Sequence, residues 1–367
     1  MKILGIIAEY NPFHLGHRYH LEKAKQIVQP DLTIVVMSGN ITQRGEFAIV
    51  DKCSRAACAI DEGVDLVVEL PFCYTNQQAD VFAKRSIDIL ASLHVSDIVF
   101  GSECNDISLL RQVASLPIRV DHLKESMSSG ASYAASLTYG SLSFASNDIL
   151  AIAYLKALAN YPSITPHTIL RTNGYHDQQL APISSAKAIR NAYFNDLGIC
   201  DHTPLAPTIA SFRSNNWNDY FPIIKHSLIN TPINELKDIF LVSEGIETHL
   251  QKCAIQAKDY DEFIQLATTR RYTTSRIQRT LMNIINHIKA SDIINFDQTI
   301  IHPLAFNIKG KDYLAKLSLD ESIILMNRIN QCPSQIKHYW INVDRNYYLF
   351  HPSINPLQHM GPVYVKK

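Results

Sequence analysis

The sequence predicts an α/β protein, with a doubly wound domain built on a parallel sheet and a mainly helical part after it. Three observations carry this. Short β-branched-rich runs alternate with segments of helical spacing through the first half. Those runs are apolar throughout, the pattern of strands covered on both faces rather than one. After about residue 196 the composition shifts, Asn, Ile and Lys become common, and helical spacing dominates.

The strands read in order as Ile3–Ala8, Leu32–Met37, Val64–Val68 and Asp97–Phe100, with helices at Tyr19–Gln26, Lys52–Asp61 and Ala79–Leu93 between them. Such strand–helix–strand units place successive strands side by side and parallel. Beyond Pro117 the pattern loosens: a helix over Asn147–Leu158, a strand over Thr165–Leu170, and a helix over Ser184–Phe194 entered from Pro182. A chain of 367 residues exceeds the usual single-domain size. Two domains are therefore expected, residues 1–195 and 196–367, divided within about ten residues of 196.

Hydrophobic residues make up 46% and charged residues 19%, a globular balance. Lys plus Arg and Asp plus Glu each number 34, which excludes nucleic-acid binding driven by bulk charge and leaves only a local basic patch. Seven Cys with no Cys-x-x-Cys pair indicate neither a zinc ribbon nor a disulfide framework, and fit a reducing cytoplasm. The apolar start ends at Glu9, too short for a signal peptide. No run reaches the roughly 20 apolar residues that span a bilayer. Neither membrane contact nor a protein partner is expected.

The sharpest local feature is Glu9-Tyr10-Asn11-Pro12-Phe13-His14-Leu15-Gly16-His17, just past the first strand. Ligands of open α/β sheets bind at the carboxyl ends of strands. His14 and His17 are spaced to converge, Gly16 admits close backbone approach, and a helix N-terminus attracts phosphate. Two imidazoles there can stabilise charge at the α-phosphorus of a triphosphate. A metal role lacks a third ligand nearby.

This His-x-Gly-His segment is the signature of the nucleotidylyltransferase superfamily, which the first domain resembles; the resemblance implies a Rossmann-like domain that releases pyrophosphate. Ile183-Ser184-Ser185-Ala186-Lys187-Ala188-Ile189-Arg190 resembles that superfamily's second motif, with Ala186 in place of Thr. Its hydroxyls and amides can hold leaving phosphates, with Arg190 a turn further on; a plain helix cap is the alternative. Further segments resemble one family, the bacterial tRNA(Met) cytidine acetate ligases: Met37–Glu46, Gly63–Pro71, Phe100–Glu103, Asn147–Leu150, Tyr175-His176-Asp177 and Arg271-Tyr272-Thr273. Leu15 and Ser146 depart from its common Asn and Pro.

The resemblance implies activation of acetate by ATP to acetyl-adenylate, then transfer of acetyl to N4 of the wobble cytidine of elongator tRNA(Met), with Mg²⁺ as cofactor. By position, the ATP site comprises Ile7, Ala8, Glu9, Tyr10, Asn11, Pro12, Phe13, His14, Leu15, Gly16, His17, Arg18, Tyr19 and His20, with Gly101, Asn147 and Arg171. Ser184, Ser185 and Arg190 join it, and His14 and His17 are its catalytic residues; no metal-ligating residue is expected. Asn40, Gln43 and Arg44 follow the second strand and are placed for acetate, ribose or support of them, although Ser38-Gly39-Asn40 is equally good turn chemistry. Lys52 and Arg55 sit one turn apart and suit either the site or a solvated helix face.

Residues Phe263–Ser291 contain no Asp or Glu but include Arg270, Arg271, Arg276, Arg279 and Lys289. A helix with Ile277, Leu281, Ile284 and Ile288 on its buried side would offer guanidinium groups to phosphates. A solvated face is the plain alternative; the family resemblance favours tRNA. Two other functions remain open at this point: a nucleotidylyltransferase loading a small phosphate ester, and a non-catalytic RNA-binding protein. An aminoacyl-tRNA synthetase is disfavoured by the lack of a Lys-Met-Ser-Lys-Ser segment.

Overall fold

A computed structural model describes residues 1–116, 144–171, 180–181, 183–356 and 364–366. Tyr175-His176-Asp177 and Pro182 lie outside the described residues. One sheet organises the chain, with strands β1 (Ile3–Ala8), β2 (Leu32–Ser38), β3 (Leu66–Leu70), β4 (Asp97–Ser102), β5 (Thr165–Leu170), β6 (Thr299–Asn307), β7 (Ile323–Leu325) and β8 (Tyr364–Lys366). Their order is β5-β4-β1-β2-β3-β6-β7, with β8 also paired to β6. The five strands from β5 to β3 are mutually parallel. β2 and β3 are buried at every position, as uninterrupted apolar runs require.

Most helix and strand positions agree with the sequence expectation, and the differences have local causes. β3 starts at Leu66 rather than Val64 because Gly63 takes φ +101° in a turn. Asp65 then turns its carboxylate to the Thr33 amide at 2.8 Å and the Asn307 side-chain amide at 2.7 Å. The helix expected from Tyr19 begins at Leu15, since His14 itself caps it. The helix Lys52–Asp61 starts where Asp51 accepts the Ser54 amide at 2.9 Å.

The sheet runs across the division expected at residue 196. Helices do dominate residues 206–294, but the chain then returns and lays β6 antiparallel against β3, pairing Leu66 with Phe306 and Glu69 with His302. The register slips between Val67 and Val68, opposite Pro303, whose missing N–H suits a bulge. Residues just past 196 also brace the first half. Thr203 Oγ1 donates to the Phe13 carbonyl, and Ser214 Oγ donates to that of Ile49 at 2.7 Å. The two parts share one sheet and one core.

No helix among the described residues is long and apolar enough to cross a membrane. None of the seven cysteines is in a disulfide; Cys104 and Cys200 are exposed and the other five are buried.

Candidate active site

The carboxyl ends of β1, β4 and β5 open into a cleft of about 460 Å³. Its floor is Ile6–Ala8, Phe100 and Gly101; its walls come from residues 146–154, 169–171 and 183–190 and from the turn after β2.

The turn after β1 is held from beneath. Arg55, fully buried, donates to the carbonyls of Glu9, Ser38, Gly39 and Val50, tying the ends of β1 and β2 together. It therefore shapes the site from behind rather than lining a solvated face. Tyr10 takes φ 47°, the peptide Asn11–Pro12 is cis, and Asn11 Oδ1 accepts the Ile49 amide at 2.8 Å.

The His14 and His17 rings meet with centroids 3.8 Å apart and planes tilted by 35°. The Gly16 amide donates to His14 Nδ1 at 3.0 Å and the His14 amide to His17 Nδ1 at 3.3 Å. A ring nitrogen that accepts an N–H carries no proton, so each neutral ring holds its hydrogen on Nε2. Burial, then the charges of Arg171 and Arg190, lowers His14 to about 3. Burial and its histidine neighbours lower His17 well below its usual value, and burial with Arg171 lowers His20 to about 4. At neutral pH the pair is thus uncharged and presents N–H donors. Gly16 has a second role here: a Cβ on it would lie 2.7 Å from His14 Cε1, so only glycine leaves room for that ring.

Opposite, Arg171 Nη1 donates to Asn147 Oδ1 at 2.7 Å, and Asn147 donates to Glu103 at 2.5 Å. Asp148 secures this wall by accepting from Ser102 Oγ at 2.6 Å and the Glu103 amide at 2.9 Å. A Cβ on Gly101 would press on Arg171 Cγ at 3.1 Å. Asp148 is absent from the sequence expectation, although it stands beside Asn147 in the same segment; a carboxylate in the first turn of a helix is its only local signal.

The helix Ala186–Phe194 points its N-terminus at the cleft. Ser185 caps it by accepting the Ala188 amide at 3.1 Å, and Ser184 Oγ is engaged with Ala181 and His202. The free amides of this end, more than the hydroxyls, are what the motif offers an anion. Arg190 reaches the Asn11 carbonyl at 2.8 Å and Glu46 at 3.1 Å. Gln43 and Arg44 line the cleft, and the Gln43 amide donates to Glu9 Oε1 at 2.7 Å.

The cleft thus gathers Ile7, Ala8, Glu9, Tyr10, Asn11, His14, Gly16, His17, Tyr19, His20, Gly101, Asn147, Arg171, Ser184, Ser185 and Arg190. Pro12, Phe13, Leu15 and Arg18 are not on its surface. Phe13 is buried beneath the turn, and Arg18 forms a two-pronged pair with Glu62 at 2.6 and 2.7 Å. Asn40 also lies elsewhere, bonded to Asp344 and to the Lys52 amide, both at 2.8 Å. Lys52 is completely buried between Glu69 and Asp344. Glu46 and Tyr154 line the cleft without having been expected there; neither stands in a local pattern that marks it.

The basic helix spans Thr274–Ile285, capped by Thr273. The fold brings Glu244 to it, 3.0 Å from Arg276 and 3.6 Å from Arg271, so the stretch without acids is partly neutralised from outside. Arg279 makes no ion pair among the described residues. Burial, then the charges of Arg276 and Arg44, lowers it to about 10. Arg279 therefore connects the basic helix to the cleft rim at Arg44. Gly45, φ +79°, makes this contact possible, since a Cβ there would lie 2.5 Å from the Arg279 amide nitrogen.

Residues 1–360 match the model of the HIGH Nucleotidyl Transferase family. The tRNA(Met) cytidine acetate ligase of Limosilactobacillus reuteri is 35% identical over 377 residues, covering 98% of both chains. That of Oenococcus oeni is 38% identical over 332 residues, covering 86% of each. Crystal structures of Thermotoga maritima TmcAL, apo and bound with alpha-thio ATP, superpose with TM-score 0.87 at 28% and 29% identity over the whole of both chains. On the histidine cleft and on likeness along its length, the chain belongs to the tRNA(Met) cytidine acetate ligases, within the HIGH nucleotidyl transferases.

Proposed function

We propose that this protein is an ATP-dependent ligase that acetylates N4 of the wobble cytidine of elongator tRNA(Met) in the cytoplasm, by way of acetyl-adenylate. The observation that carries the reading is the intact donor pair of His14 and His17 in a chain that is 35% identical to a curated ligase from end to end. In the first step an acetate oxygen attacks the α-phosphorus of ATP and pyrophosphate leaves. Nε2–H groups of both histidines stabilise the charge that develops there. Arg190 and the amides opening the helix Ala186–Phe194 receive the departing phosphates. Asn147, Arg171 and Gly101 hold the nucleoside end; Gln43 and Arg44 hold acetate.

Among the described residues no group of three or more His, Cys, Asp or Glu side chains is arranged to hold a metal. Mg²⁺ bound to the nucleotide would supply further charge stabilisation at the phosphates, beside Arg190 and the helix amides. In the second step the cytidine amine attacks the acetyl carbonyl and AMP leaves. Residues 206–294 form the tRNA-binding part, with Arg270, Arg271, Arg276 and Arg279 facing its backbone.

The test is incubation with ATP, Mg²⁺, labelled acetate and unmodified elongator tRNA(Met), followed by nucleoside mass spectrometry. Labelled N4-acetylcytidine is the expected product. Its absence with folded protein and intact tRNA would turn the assignment toward a small-molecule acceptor.

A further inference from the structure

Transfer of the acetyl group releases a proton from the cytidine amine, and the groups of the cleft differ in their ability to take it. His14 and His17 cannot serve, because their Nδ1 atoms already accept backbone N–H groups and their Nε2 atoms already carry hydrogen. Burial further depresses both. His20 is depressed in the same way. Among the described lining residues the carboxylates are Glu9 and Glu46. Glu46 is bonded to Arg190 at 3.1 Å, so a guanidinium already occupies its carboxylate.

Glu9 is placed differently. One oxygen, Oε1, accepts the Gln43 amide at 2.7 Å, which fixes the carboxyl plane. Its backbone is pinned through the Arg55 guanidinium. Neither Arg44 nor Arg190 forms an ion pair with it among the described residues, and the side chain lies on the cleft wall beside Gln43 and Arg44, where acetate is placed. The charged and titratable groups around it are Arg44 and Glu46 from the turn after β2, Arg55 from the helix Lys52–Asp61, Tyr154 from the helix Ser146–Leu158, and Arg190. Burial dominates and pushes the carboxyl above the usual carboxylate range; the Gln43 amide opposes that shift. Glu46 acts to raise it, while Arg44 and Arg190 act to lower it. A carboxylate whose burial favours taking up a proton, held in the cleft by a fixed hydrogen bond, suits proton removal.

Building on the ligase reading, we propose that Glu9 is the general base of acetyl transfer. The N4 lone pair forms the new bond to the acetyl carbon. The bond from that carbon to the adenylate oxygen breaks, and AMP leaves with the electron pair. The N4 proton passes to Glu9 Oε2 and from there to solvent. Glu9 thereby takes part in the second step and not in the attack of acetate, whose nucleophile carries no proton.

The experiment forms acetyl-adenylate on the enzyme from ATP and acetate, adds elongator tRNA(Met), and follows a single turnover from pH 5 to 8. Acetate-dependent exchange of pyrophosphate into ATP is measured alongside. In the wild type the transfer rate should rise about tenfold per pH unit on the acid side and then level. Glu9→Gln, which keeps an acceptor for the Gln43 amide, should lose this slope and slow transfer by about a hundredfold or more, the usual contribution of a general base. Exchange should fall by a much smaller factor. Glu9→Asp should transfer slowly but keep the slope, which separates loss of the base from loss of structure. Glu9→Gln transferring within about threefold of wild type, keeping the slope, or losing exchange and transfer by equal factors would overturn the proposal, as would a flat Glu9→Asp profile. Wild-type protein that shows no acetate-dependent exchange would instead remove the ligase reading beneath it.

Discussion

Lys52 and Asp344 stand 292 positions apart in the chain, yet Lys52 Nζ donates to Asp344 Oδ2 at 2.7 Å with both side chains shut away from water. Glu69 completes the site at 3.0 Å from the same nitrogen, and His302 Nδ1 meets Glu69 at 2.8 Å. One cation thus serves two buried carboxylates from different ends of the sequence. Removing it would leave both uncompensated, so Lys52→Met should lower unfolding free energy by about 3–5 kcal/mol, measured by urea titration. A loss below about 1 kcal/mol would show the carboxylates to be protonated already and the site not to depend on the ion pair.

Acid should weaken the fold from an unusually high pH. His14 and His20 are lowered to about 3 and about 4 and His17 well below its usual value, all by burial first. Below about pH 6.5 the unfolded chain binds protons at these positions while the folded chain does not, so stability falls with pH. Each such group contributes about 1.4 kcal/mol per pH unit at most. Glu9 acts in the opposite sense, because its raised value lets the folded state bind a proton first. Glu69, held low by Lys52 and His302 against its burial, adds its own loss only below the ordinary carboxylate range. Urea midpoints should fall steeply between pH 7 and 5.5, and His20→Asn should shallow that fall. A flat wild-type profile would mean the histidines are hydrated.

Gly16→Ala should disable the site while sparing the fold. The added methyl meets His14 Cε1 at 2.7 Å and Nδ1 at 2.9 Å, so the ring must leave the Gly16 amide. Acetate-dependent pyrophosphate exchange should drop by about a hundredfold, comparable to loss of one charge-stabilising donor. Thermal unfolding should hardly move. His17→Ala should reduce exchange by a similar factor or more; unchanged exchange in either variant would take the pair out of the reaction.

Arg279 and Glu244 give opposite expectations for tRNA. Arg279 lacks an ion-pair partner among the described residues, and Arg279→Ala should weaken tRNA binding and reduce its salt slope by about one. Combining it with Arg276→Ala should add less than a second full contact, because Arg276 already gives 3.0 Å to Glu244. Glu244→Gln should tighten binding by freeing Arg271 and Arg276. Filter binding across a salt series reads all three, and equal slopes throughout would place the tRNA elsewhere.

The legible parts of this protein are those whose cause is local. Ile3–Ala8 and Thr165–Leu170 coincide with the strands because uninterrupted apolar runs or β-branched residues bounded by turns mark them. His14 and His17 stand within one turn of chain, so their convergence needs no tertiary knowledge. β6 has no local signature, because His302 and Pro303 break its apolar run and only pairing with β3 explains both. Lys52 and Arg55 look like surface charge until residues some 300 positions away, or a neighbouring strand end, cover them. Asp148 and Tyr154 owe their places in the site to how one helix packs over β4, which no spacing records.

The pairing of β3 with β6 also sets an order of assembly during synthesis. Residues 66–69 must wait for residues 302–306, so one edge of the sheet stays open while more than half the chain is still being made. Closing so long a loop is slow, and an unpaired apolar edge invites pairing with another chain. The last support for the helix that carries Arg55 arrives later still, with Asp344. A ribosome-bound fragment that already contains both histidines therefore cannot yet hold them in working order, and premature release leaves an inactive product prone to aggregate.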